Sequence, residues 1–401
     1  MTWVPGADGS LFDATNLPYG VVARPGGEPR IAVRIGDFAL DLARCEAAGL
    51  VDAAGTLRRP VLNDFMALGR ARWTAVRERL VDLLTTPDRR QEVEPLLVPL
   101  AEVETRMPVT VGDYVDFYSS EHHAGNVGQI FRPGQPPLTP NWRHLPIGYH
   151  GRGGTVVVSG TEIVRPCGQR KPADSDHPVF GPSVRLDIEA EVGFVVGAPS
   201  RLGERVDTAS FREHVFGVVL VNDWSARDIQ AWEYQPLGPF LGKSFATSIS
   251  PWVVPLDALD AARVDAPEQD PPVQDYLRES ERYGYDLALE VRWNGTLVSR
   301  PPFRTLYWTP AQQLAHLTVN GASVRTGDLY ASGTVSGPER DQTGSFLELT
   351  WGGKEPVKLD DGTQRTFLQD GDEVSISATA PGPNGTRIGF GEVTGRIAAA
   401  R

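Results

Sequence analysis

The clearest alternation of apolar and polar residues in the chain lies in Ser183–Gly193, with the sequence SVRLDIEAEVG. This pattern predicts a β-strand whose side chains point alternately to two faces. One face carries Val184, Leu186, Ile188, Ala190 and Val192, and the other carries Arg185, Asp187, Glu189 and Glu191. Glu189 and Glu191 therefore project in the same direction, about 6.6–7 Å apart along the strand.

Two more acidic residues lie in apolar surroundings. Asp223 closely follows the apolar run Val215–Val221, which predicts a buried strand, and Asp116 lies in the aromatic segment YVDFY. Carboxylates gathered in one place repel each other unless a cation neutralises them, and a ligand set made only of oxygen suits Ca²⁺ or Mg²⁺ rather than zinc. We therefore predict a metal site at Asp116, Glu189, Glu191 and Asp223. The alternative is that the two glutamates lie on a solvated strand face.

The N-terminal part reads as a small separate unit. Residues 17–42 form short apolar runs that predict strands joined by a turn at Gly26 and Gly27. Residues 61–86 carry apolar side chains at helical spacing. A boundary near residues 105–111 divides the chain into an N-terminal domain, 1–110, and a C-terminal domain, 111–401.

The C-terminal part alternates strands with long connections rich in glycine and proline, and connections of that kind often carry function. Asp370–Ala398 predicts two strands joined by the turn-rich segment PGPNGT. Ser345–Trp351 also alternates and is interpreted as a strand. The fold class expected from these patterns is mainly β (α+β).

Composition excludes several classes of protein. The 401 residues carry a net charge of −12, which argues against a broad nucleic-acid-binding surface. No apolar run approaches the ~18 residues needed to span a bilayer, and the start of the chain lacks the features of a secretory signal. The only cysteines, Cys45 and Cys167, lie far apart in the sequence and indicate no disulfide framework. We expect a cytoplasmic protein with no nucleic-acid or membrane partner.

A histidine pair stands in the segment of residues 111–132. Ser119 and Ser120 can cap a short helix that carries Glu121, His122 and His123. An adjacent histidine pair is often only part of a solvated helix face. Nearby Tyr118, Arg132 and Tyr149 could bind a dianionic or enolised diketo acid through charge-assisted hydrogen bonds.

A second group of polar residues follows Asp223. Ser225 and Asp228 form a capping-box pattern, and Arg227 and Gln230 then share one helix face. Lys243 adds a third donor from a GKS segment, which lacks the upstream glycine spacing of a phosphate-binding loop. Glu348 is either a surface glutamate or the residue that orients a histidine base.

Five segments together carry a specific resemblance: DFYSSEHHAGNVG, PNWRHLPIGYHGR, RLDIEAEVGFVVG, NDWSARDIQAWEYQPLGPFLGKSFATSISPWV and DLYASGTVSG. They are similar to the fumarylacetoacetate hydrolase family over essentially the full length of the chain. The resemblance implies a small N-terminal SH3-like β-barrel, a C-terminal mixed β-roll and a homodimer.

The resemblance also implies roles for individual residues. It makes His123 the general base and Glu348 its partner, and it assigns stabilisation of negative charge to Arg227, Gln230 and Lys243. The implied metal ligands are Asp116, Glu189, Glu191 and Asp223, with Lys243 and Thr247 beside a second cation. The implied substrate-binding residues are Tyr118, Arg132, Tyr149, Arg227, Gln230, Tyr234 and Thr334. Glu121 departs from the pattern, because mammalian relatives carry a basic residue there.

The implied reaction is hydrolysis of the carbon–carbon bond of fumarylacetoacetate to fumarate and acetoacetate, the last step of tyrosine and phenylalanine breakdown. It would use a divalent cation, with Ca²⁺, Mg²⁺ and Mn²⁺ as the alternatives, and no organic cofactor. One alternative keeps the family and changes the substrate, giving an acylpyruvate hydrolase or another diketo-acid hydrolase or decarboxylase. A second alternative, of a different class, is a non-catalytic Ca²⁺-binding scaffold protein.

Overall fold

The computed structural model describes all 401 residues, and its N-terminal part contains five strands and four helices. The strands are β1 (Tyr19–Ala23), β2 (Arg30–Ile35), β3 (Phe38–Asp41), β4 (Leu97–Pro99) and β5 (Glu104–Arg106). The helices are α1 (Leu42–Ala47), α2 (Asn63–Met66), α3 (Arg70–Thr85) and α4 (Arg90–Val93). The predicted turn at Gly26 and Gly27 is confirmed, because it joins β1 to β2. The predicted helix at residues 61–86 is interrupted by Gly69, which has a positive φ.

The C-terminal part contains the remaining strands and helices. Its strands are β6 (Tyr114–Phe117), β7 (Gly148–His150), β8 (Val156–Val158), β9 (Ile163–Val164), β10 (Cys167–Arg170), β11 (Val179–Pro182), β12 (Leu186–Asp187), β13 (Ala190–Val196), β14 (Val215–Asp223), β15 (Ser225–Ala226), β16 (Thr247–Ile249), β17 (Trp252–Pro255), β18 (Arg263–Asp265), β19 (Tyr283–Tyr285), β20 (Ala288–Trp293), β21 (Thr296–Ser299), β22 (Leu329–Ala331), β23 (Val357–Lys358), β24 (Gln364–Arg365), β25 (Glu373–Pro381) and β26 (Arg387–Ala398). Its helices are α5 (Glu121–Phe131), α6 (Phe211–His214), α7 (Arg227–Glu233), α8 (Pro310–Thr318) and α9 (Phe346–Leu349).

Two sheets contain most of these strands, and the others form separate two-stranded pairs. The larger runs in the order β4-β3-β2-β1-β17-β14-β13-β22-β6-β7, with β5 and β16 paired at its side, so it crosses from the N-terminal part into the C-terminal part. The smaller has the order β21-β20-β25-β26-β9 and includes the two strands predicted for Asp370–Ala398. The pairing of β1–β5 shows no closed barrel, so the observed architecture is a mixed α+β protein with more strand than helix. None of its helices combines the length and the apolar character that crossing a bilayer requires.

The central strands β13 and β14 are buried on both faces. Val192 and Phe194 pack with the core that includes the smaller sheet, whereas Val195 packs with the core that includes the N-terminal domain. Glu191 lies on the same face as Val195, because side chains two or four positions apart share a face. The alternation read from the sequence is thus confirmed over Ala190–Val192, but Val184 is exposed and the strand is broken at residues 188–189.

Two local predictions were wrong. Ser345–Trp351 contains the short helix α9 instead of a strand, and Ser345 caps it by accepting a hydrogen bond from the N–H of Glu348 (3.3 Å). Ser225 does not cap α7. It lies in β15 opposite Asp187, and its hydroxyl donates to the carbonyl of Asp223 (3.1 Å). In both places the tertiary context determines the local conformation, because the segments are buried and paired with distant strands.

Candidate active site

Four carboxylates converge on β14, β13 and β6 of the larger sheet, in which β22 lies between β13 and β6. Asp116 lies on β6, Glu191 on β13 and Asp223 at the end of β14, while Glu189 immediately precedes β13. Oxygen atoms of the four lie within 4.8 Å of one another, and each residue is at most 6 % exposed. The structure therefore brings together every residue of the predicted metal site.

Two cations bind one half of this cluster. The Nζ of Lys243 lies 2.5 Å from Glu189 and 2.7 Å from Asp223, and the Nη1 of Arg227 lies 2.7 Å from Glu189. Burial alone would raise the pKa of Glu189, but Lys243 and Arg227 outweigh it and hold that pKa well below its usual range. Burial alone would lower the pKa of Lys243, but the charges of Asp223 and Glu189 outweigh it and raise that pKa. Positively and negatively charged side chains therefore alternate in this half of the cluster.

The other half of the cluster contains carboxylate oxygens that have no hydrogen-bond partner. Both carboxylate oxygens of Glu191 and Oδ1 of Asp116 are buried without any hydrogen bond. Burial and the neighbouring carboxylates raise the pKa of both side chains well above the usual range. Buried acceptors without partners are rare in folded proteins and point to a bound ion or water. An all-oxygen set of this kind fits a hard divalent cation, so the residues present are suited to hold one.

A histidine–carboxylate pair lies next to this cluster. Ser120 caps α5 by accepting the N–H of His123 (3.2 Å), which confirms the predicted cap. The ring Nδ1 of His123 is 2.7 Å from Oε2 of Glu348, and both side chains are buried. His122, by contrast, is half-buried and makes no hydrogen bond. The histidine that the structure connects to a carboxylate is therefore His123.

Three further donors hold Glu348. Its Oε2 also accepts from Ser345 (2.7 Å) and Ser336 (3.1 Å), and its Oε1 accepts from Asn126 (3.0 Å). Burial alone would raise the pKa of Glu348, but His123 and these hydrogen bonds lower it, so the carboxylate stays ionised. An ionised Glu348 accepts a hydrogen bond from the Nδ1–H of His123, which leaves the ring Nε2 as the nitrogen able to take up a proton.

Of the predicted donors, Arg227 and Gln230 lie on α7, and Lys243 lies in the loop that follows this helix. Arg227 and Gln230 share a face of α7, with Nη1 of the arginine 3.3 Å from the amide oxygen of the glutamine. Nη2 of Arg227 is buried without a partner. Glu233, near the end of α7, accepts a hydrogen bond from the N–H of Gly242 (2.7 Å), and this contact holds the loop that carries Lys243 against the helix. Gly242 is required there, since a Cβ would lie 2.8 Å from the backbone of Gln230.

The predicted substrate-binding residues are less closely grouped. The ring of Tyr118 packs edge-on against His123, with 5.3 Å between centroids, and the hydroxyl of Tyr149 donates to Asp223 (3.3 Å). Burial, followed by the charges of Glu348 and Glu189, raises the pKa of Tyr118. Thr334 is buried with an unpaired hydroxyl. Tyr149 therefore lies beside the carboxylates, Tyr118 lies beside the histidine, and Thr334 offers a free donor. Each of these features suits a substrate-binding residue.

Arg132 and Tyr234 lie at the margin of this region. Arg132 ends α5 and donates to the carbonyl of Pro137 (3.0 Å), and Tyr234 is 43 % exposed at the end of α7. Neither contacts the carboxylates. A cavity of about 200 Å³ opens between Tyr149, Asp223 and Lys243, with Phe240 at its edge. Thr247 closes its far side and donates to Oδ1 of Asp223 (2.6 Å).

Sequence reasoning missed several residues that support the site. Asn126 is three positions after His123 on α5, so the helical spacing alone places the two side chains on one face. Ser345 and Glu348 form an S-x-x-E pattern that is typical of a helix start. Asp187 was noted only as one polar position of a strand, yet it is fully buried and bonded to Arg227 (2.8 Å). Glu121 pairs with Arg143, away from Glu348.

Two family models and many known proteins match this chain. Residues 114–398 match the model described as fumarylacetoacetate (FAA) hydrolase, C-terminal, and residues 15–108 match fumarylacetoacetase, N-terminal. A fumarylacetoacetase of Homo sapiens is 48 % identical, covering 99 % of this chain and 98 % of the relative. One of Oryza sativa subsp. japonica is 46 % identical, covering 99 % and 96 %. The structure of a fumarylacetoacetate hydrolase from psychrophilic Exiguobacterium antarcticum has a TM-score of 0.58 at 17 % identity, covering 96 % and 99 %, which shows a shared fold.

Proposed function

Because this chain belongs to the fumarylacetoacetase family, we propose that it hydrolyses fumarylacetoacetate to fumarate and acetoacetate. The observation that carries this proposal is the buried His123–Glu348 pair beside a cluster of four carboxylates, in which oxygens of Glu191 and Asp116 have no hydrogen-bond partner. Hydrolysis of a β-diketone needs a base for water, a stabilised alkoxide and a stabilised leaving enolate. The site contains side chains suited to each requirement.

Water is activated by His123. Its Nε2 takes a proton as the water oxygen bonds to the carbonyl carbon next to the fumaryl group, and the ionised Glu348 stabilises the imidazolium that forms. Imidazole is the side chain that most often serves as both general base and general acid, which suits His123 to accept this proton and later return it. The T-shaped contact with Tyr118 fixes the plane of the ring.

The alkoxide produced by this attack is stabilised by donors that are already in place. Nη2 of Arg227 is buried without a partner and is therefore available to an oxyanion. Gln230 and Lys243 complete the group, and removal of one such donor typically costs about 3 kcal/mol. The carbon–carbon bond then breaks, its electron pair leaves with the acetoacetate carbon, and the imidazolium of His123 protonates that carbon.

A divalent cation held by Asp116, Glu189, Glu191 and Asp223 would polarise the diketone oxygens and stabilise the leaving enolate as a Lewis acid. Ca²⁺ and Mg²⁺ both accept such ligands. Around it, Tyr149 and Thr334 are placed to bind substrate oxygens, and Arg132 and Tyr234 are proposed to reach the substrate from the margin. Thr247 and Lys243 are proposed to border a second cation next to Asp223, because Thr247 already contacts it.

Several broader expectations are part of the same proposal. We retain the division into residues 1–110 and 111–401, the SH3-like character of the N-terminal strands, the β-roll of the C-terminal domain, a cytoplasmic location and a homodimer. Support for a dimer comes from exposed large apolar side chains, since Leu237 is 96 % exposed, Phe180 77 % and Phe240 63 %. Exposed patches of this kind often mark protein–protein contacts.

The experiment that tests the function measures turnover of fumarylacetoacetate and of an acylpyruvate by the same preparation. We expect loss of the ultraviolet absorbance of fumarylacetoacetate, abolished by EDTA and restored by Ca²⁺ or Mg²⁺. A higher kcat/KM for the acylpyruvate would transfer the proposal to that substrate class. Folded, metal-loaded protein that hydrolyses neither would support a non-catalytic metal-binding protein instead.

A further inference from the structure

One buried carboxylate near the site belongs neither to the four-carboxylate cluster nor to the histidine pair. Asp187 is fully buried at the end of β12. The pairing of β12 with β15 brings it opposite Ser225, two residues before Arg227. A buried charge is costly unless it is paired and hydrogen-bonded, so the contacts of this side chain indicate why it is there.

Both oxygens of Asp187 are fully engaged. Oδ2 accepts from Nε of Arg227 (2.8 Å) and from the N–H of Leu347 (3.0 Å). Oδ1 accepts from the N–H groups of Ile188 (2.7 Å) and Phe346 (2.8 Å). Two donors on each oxygen leave little capacity for a metal ion or a proton. The contacts of Asp187 therefore indicate that it orients other groups.

The groups that Asp187 orients belong to two different parts of the proposed machinery. The Nε contact fixes one edge of the Arg227 guanidinium, while Nη1 contacts Glu189 and Nη2 remains unpaired. The Phe346 and Leu347 contacts fix the two residues immediately before Glu348, whose Oε2 is bonded to His123. One carboxylate thus connects the oxyanion donor to the partner of the base.

We propose that Asp187 is a positioning residue that sets Arg227 and the Phe346–Glu348 segment relative to each other. This inference rests on the proposed function for what the two groups do, while the contacts themselves are independent of it. The other acidic residue beside Arg227 in the sequence, Asp228, has a different role. It accepts from the Ser183 hydroxyl (2.6 Å) and the Val184 N–H (2.8 Å), and so stabilises a neighbouring turn.

Asp187→Asn is the direct test, because asparagine has only one side-chain oxygen, whereas the four groups that donate to Asp187 need two. Its amide NH₂ must oppose either Arg227 and Leu347 or Ile188 and Phe346. A displacement of about 1 Å at a reacting group can cost about 10²-fold in rate, so we expect kcat to fall by about that factor. KM should change by less than about threefold, since the substitution leaves Tyr149 and Thr334 in place and disturbs Arg227 as an oxyanion donor.

A double-mutant cycle separates positioning from general destabilisation. If Asp187 acts largely through Arg227, Asp187→Asn should cost much less than about 10²-fold in an Arg227→Gln background. The matched control, Asp228→Asn, removes a hydrogen-bonded carboxylate one residue from Arg227 and should leave kcat unchanged. Equal factors for Asp187→Asn in both backgrounds, or an equal loss in Asp228→Asn, would overturn the proposal.

A spectroscopic measurement makes the test independent of turnover. The proton between His123 and Glu348 should give a downfield NMR resonance, assigned by its loss in His123→Gln. We expect Asp187→Asn to shift or broaden this resonance and Asp228→Asn to leave it in place. An unshifted resonance in Asp187→Asn would overturn the positioning of Glu348. If the wild-type protein does not hydrolyse fumarylacetoacetate, only the proposed function fails, and this resonance still decides the role of Asp187. If Asp187→Asn is not recovered folded, Asp187→Glu carries the same measurements, because it keeps the charge but displaces the carboxylate.

Discussion

The most informative single substitution is Glu348→Gln, because it keeps the shape of the side chain and removes only its charge. In the wild-type protein, Oε2 of Glu348 accepts from His123, Ser345 and Ser336, and Oε1 accepts from Asn126. Glutamine can place its oxygen at the position of Oε2 and keep those three bonds. Its NH₂ then faces Asn126, whose amide can flip to present its oxygen. The fold and the histidine tautomer should therefore survive, whereas the imidazolium loses its counter-charge.

The magnitude follows from the short contact between the two buried groups. A hydrogen bond to a charged partner contributes about 1.5–3 kcal/mol and a neutral one about 0.5–1.5, so the smallest loss expected is near tenfold in rate. Opposite charges about 4 Å apart attract by about 4 kcal/mol at an effective dielectric constant near 20, which sets the largest loss near 10³-fold. We expect kcat to fall by about 10²-fold, between these limits.

The assay follows hydrolysis of fumarylacetoacetate at saturating substrate, together with bound metal and melting temperature. Glu355→Gln is the matched control, since Glu355 pairs with Arg340 (2.5 Å) on the surface and its side chain is 47 % exposed. The control should behave like the wild-type protein in all three measurements. A Glu348→Gln variant with full metal content and a kcat within about threefold of the wild-type value would refute the role given to the pair.

Three other substitutions give separate tests. His123→Ala should lower kcat by about 10²–10⁴-fold without changing metal content, as measured by elemental analysis. His122→Ala should change neither kcat nor metal content. Equal losses of kcat in the two variants would place the base at another residue. Glu191→Gln should abolish the rise in melting temperature on adding Ca²⁺ or Mg²⁺ while leaving the metal-free protein at least as stable, because its two unpaired buried oxygens cease to be anionic; a retained metal-induced rise would exclude Glu191 as a ligand. Burial raises the pKa of Glu279 from 4.5 to about 7, so the folded state holds a proton that the unfolded state releases, and the free energy of unfolding should fall as the pH rises through this interval. In denaturant titrations at several pH values, the free energy of unfolding of Glu279→Gln should rise relative to that of the wild-type protein by up to about 3 kcal/mol between about pH 4.5 and 7. A difference between the two proteins that stays constant with pH would contradict the raised pKa of Glu279.

The sequence was most informative where periodicity and local capping agree with tertiary packing. Alternation correctly predicts that Ala190 and Val192 share the apolar face of β13, and Ser120 correctly predicts the start of the helix that carries His123. The convergence of the four carboxylates was also predictable, because each follows or lies within an apolar run that becomes a central strand. Patterns of this kind are local, and the folded protein preserves them.

Other features depend on contacts between distant segments and were not visible. The S-x-x-E pattern at Ser345 competes with an equally good alternation, and only burial of α9 against β12 decides between helix and strand. Asp187 shares its strand face with the predicted ligands in the sequence pattern, but the break at residues 188–189 separates their environments. The four donors to Asp187 come from segments up to 160 residues away, which no local pattern can reveal.

The most direct test of the account is hydrolysis of fumarylacetoacetate in ¹⁸O-labelled water, with the products analysed by mass spectrometry. Attack of the activated water at the carbonyl next to the fumaryl group predicts equal amounts of acetoacetate and fumarate, with one ¹⁸O atom in a fumarate carboxylate. Attack at the other ketone would produce malonate and a fumaryl methyl ketone. That outcome, or intact substrate after incubation with folded and metal-loaded protein, would contradict the proposed geometry of His123 and Arg227.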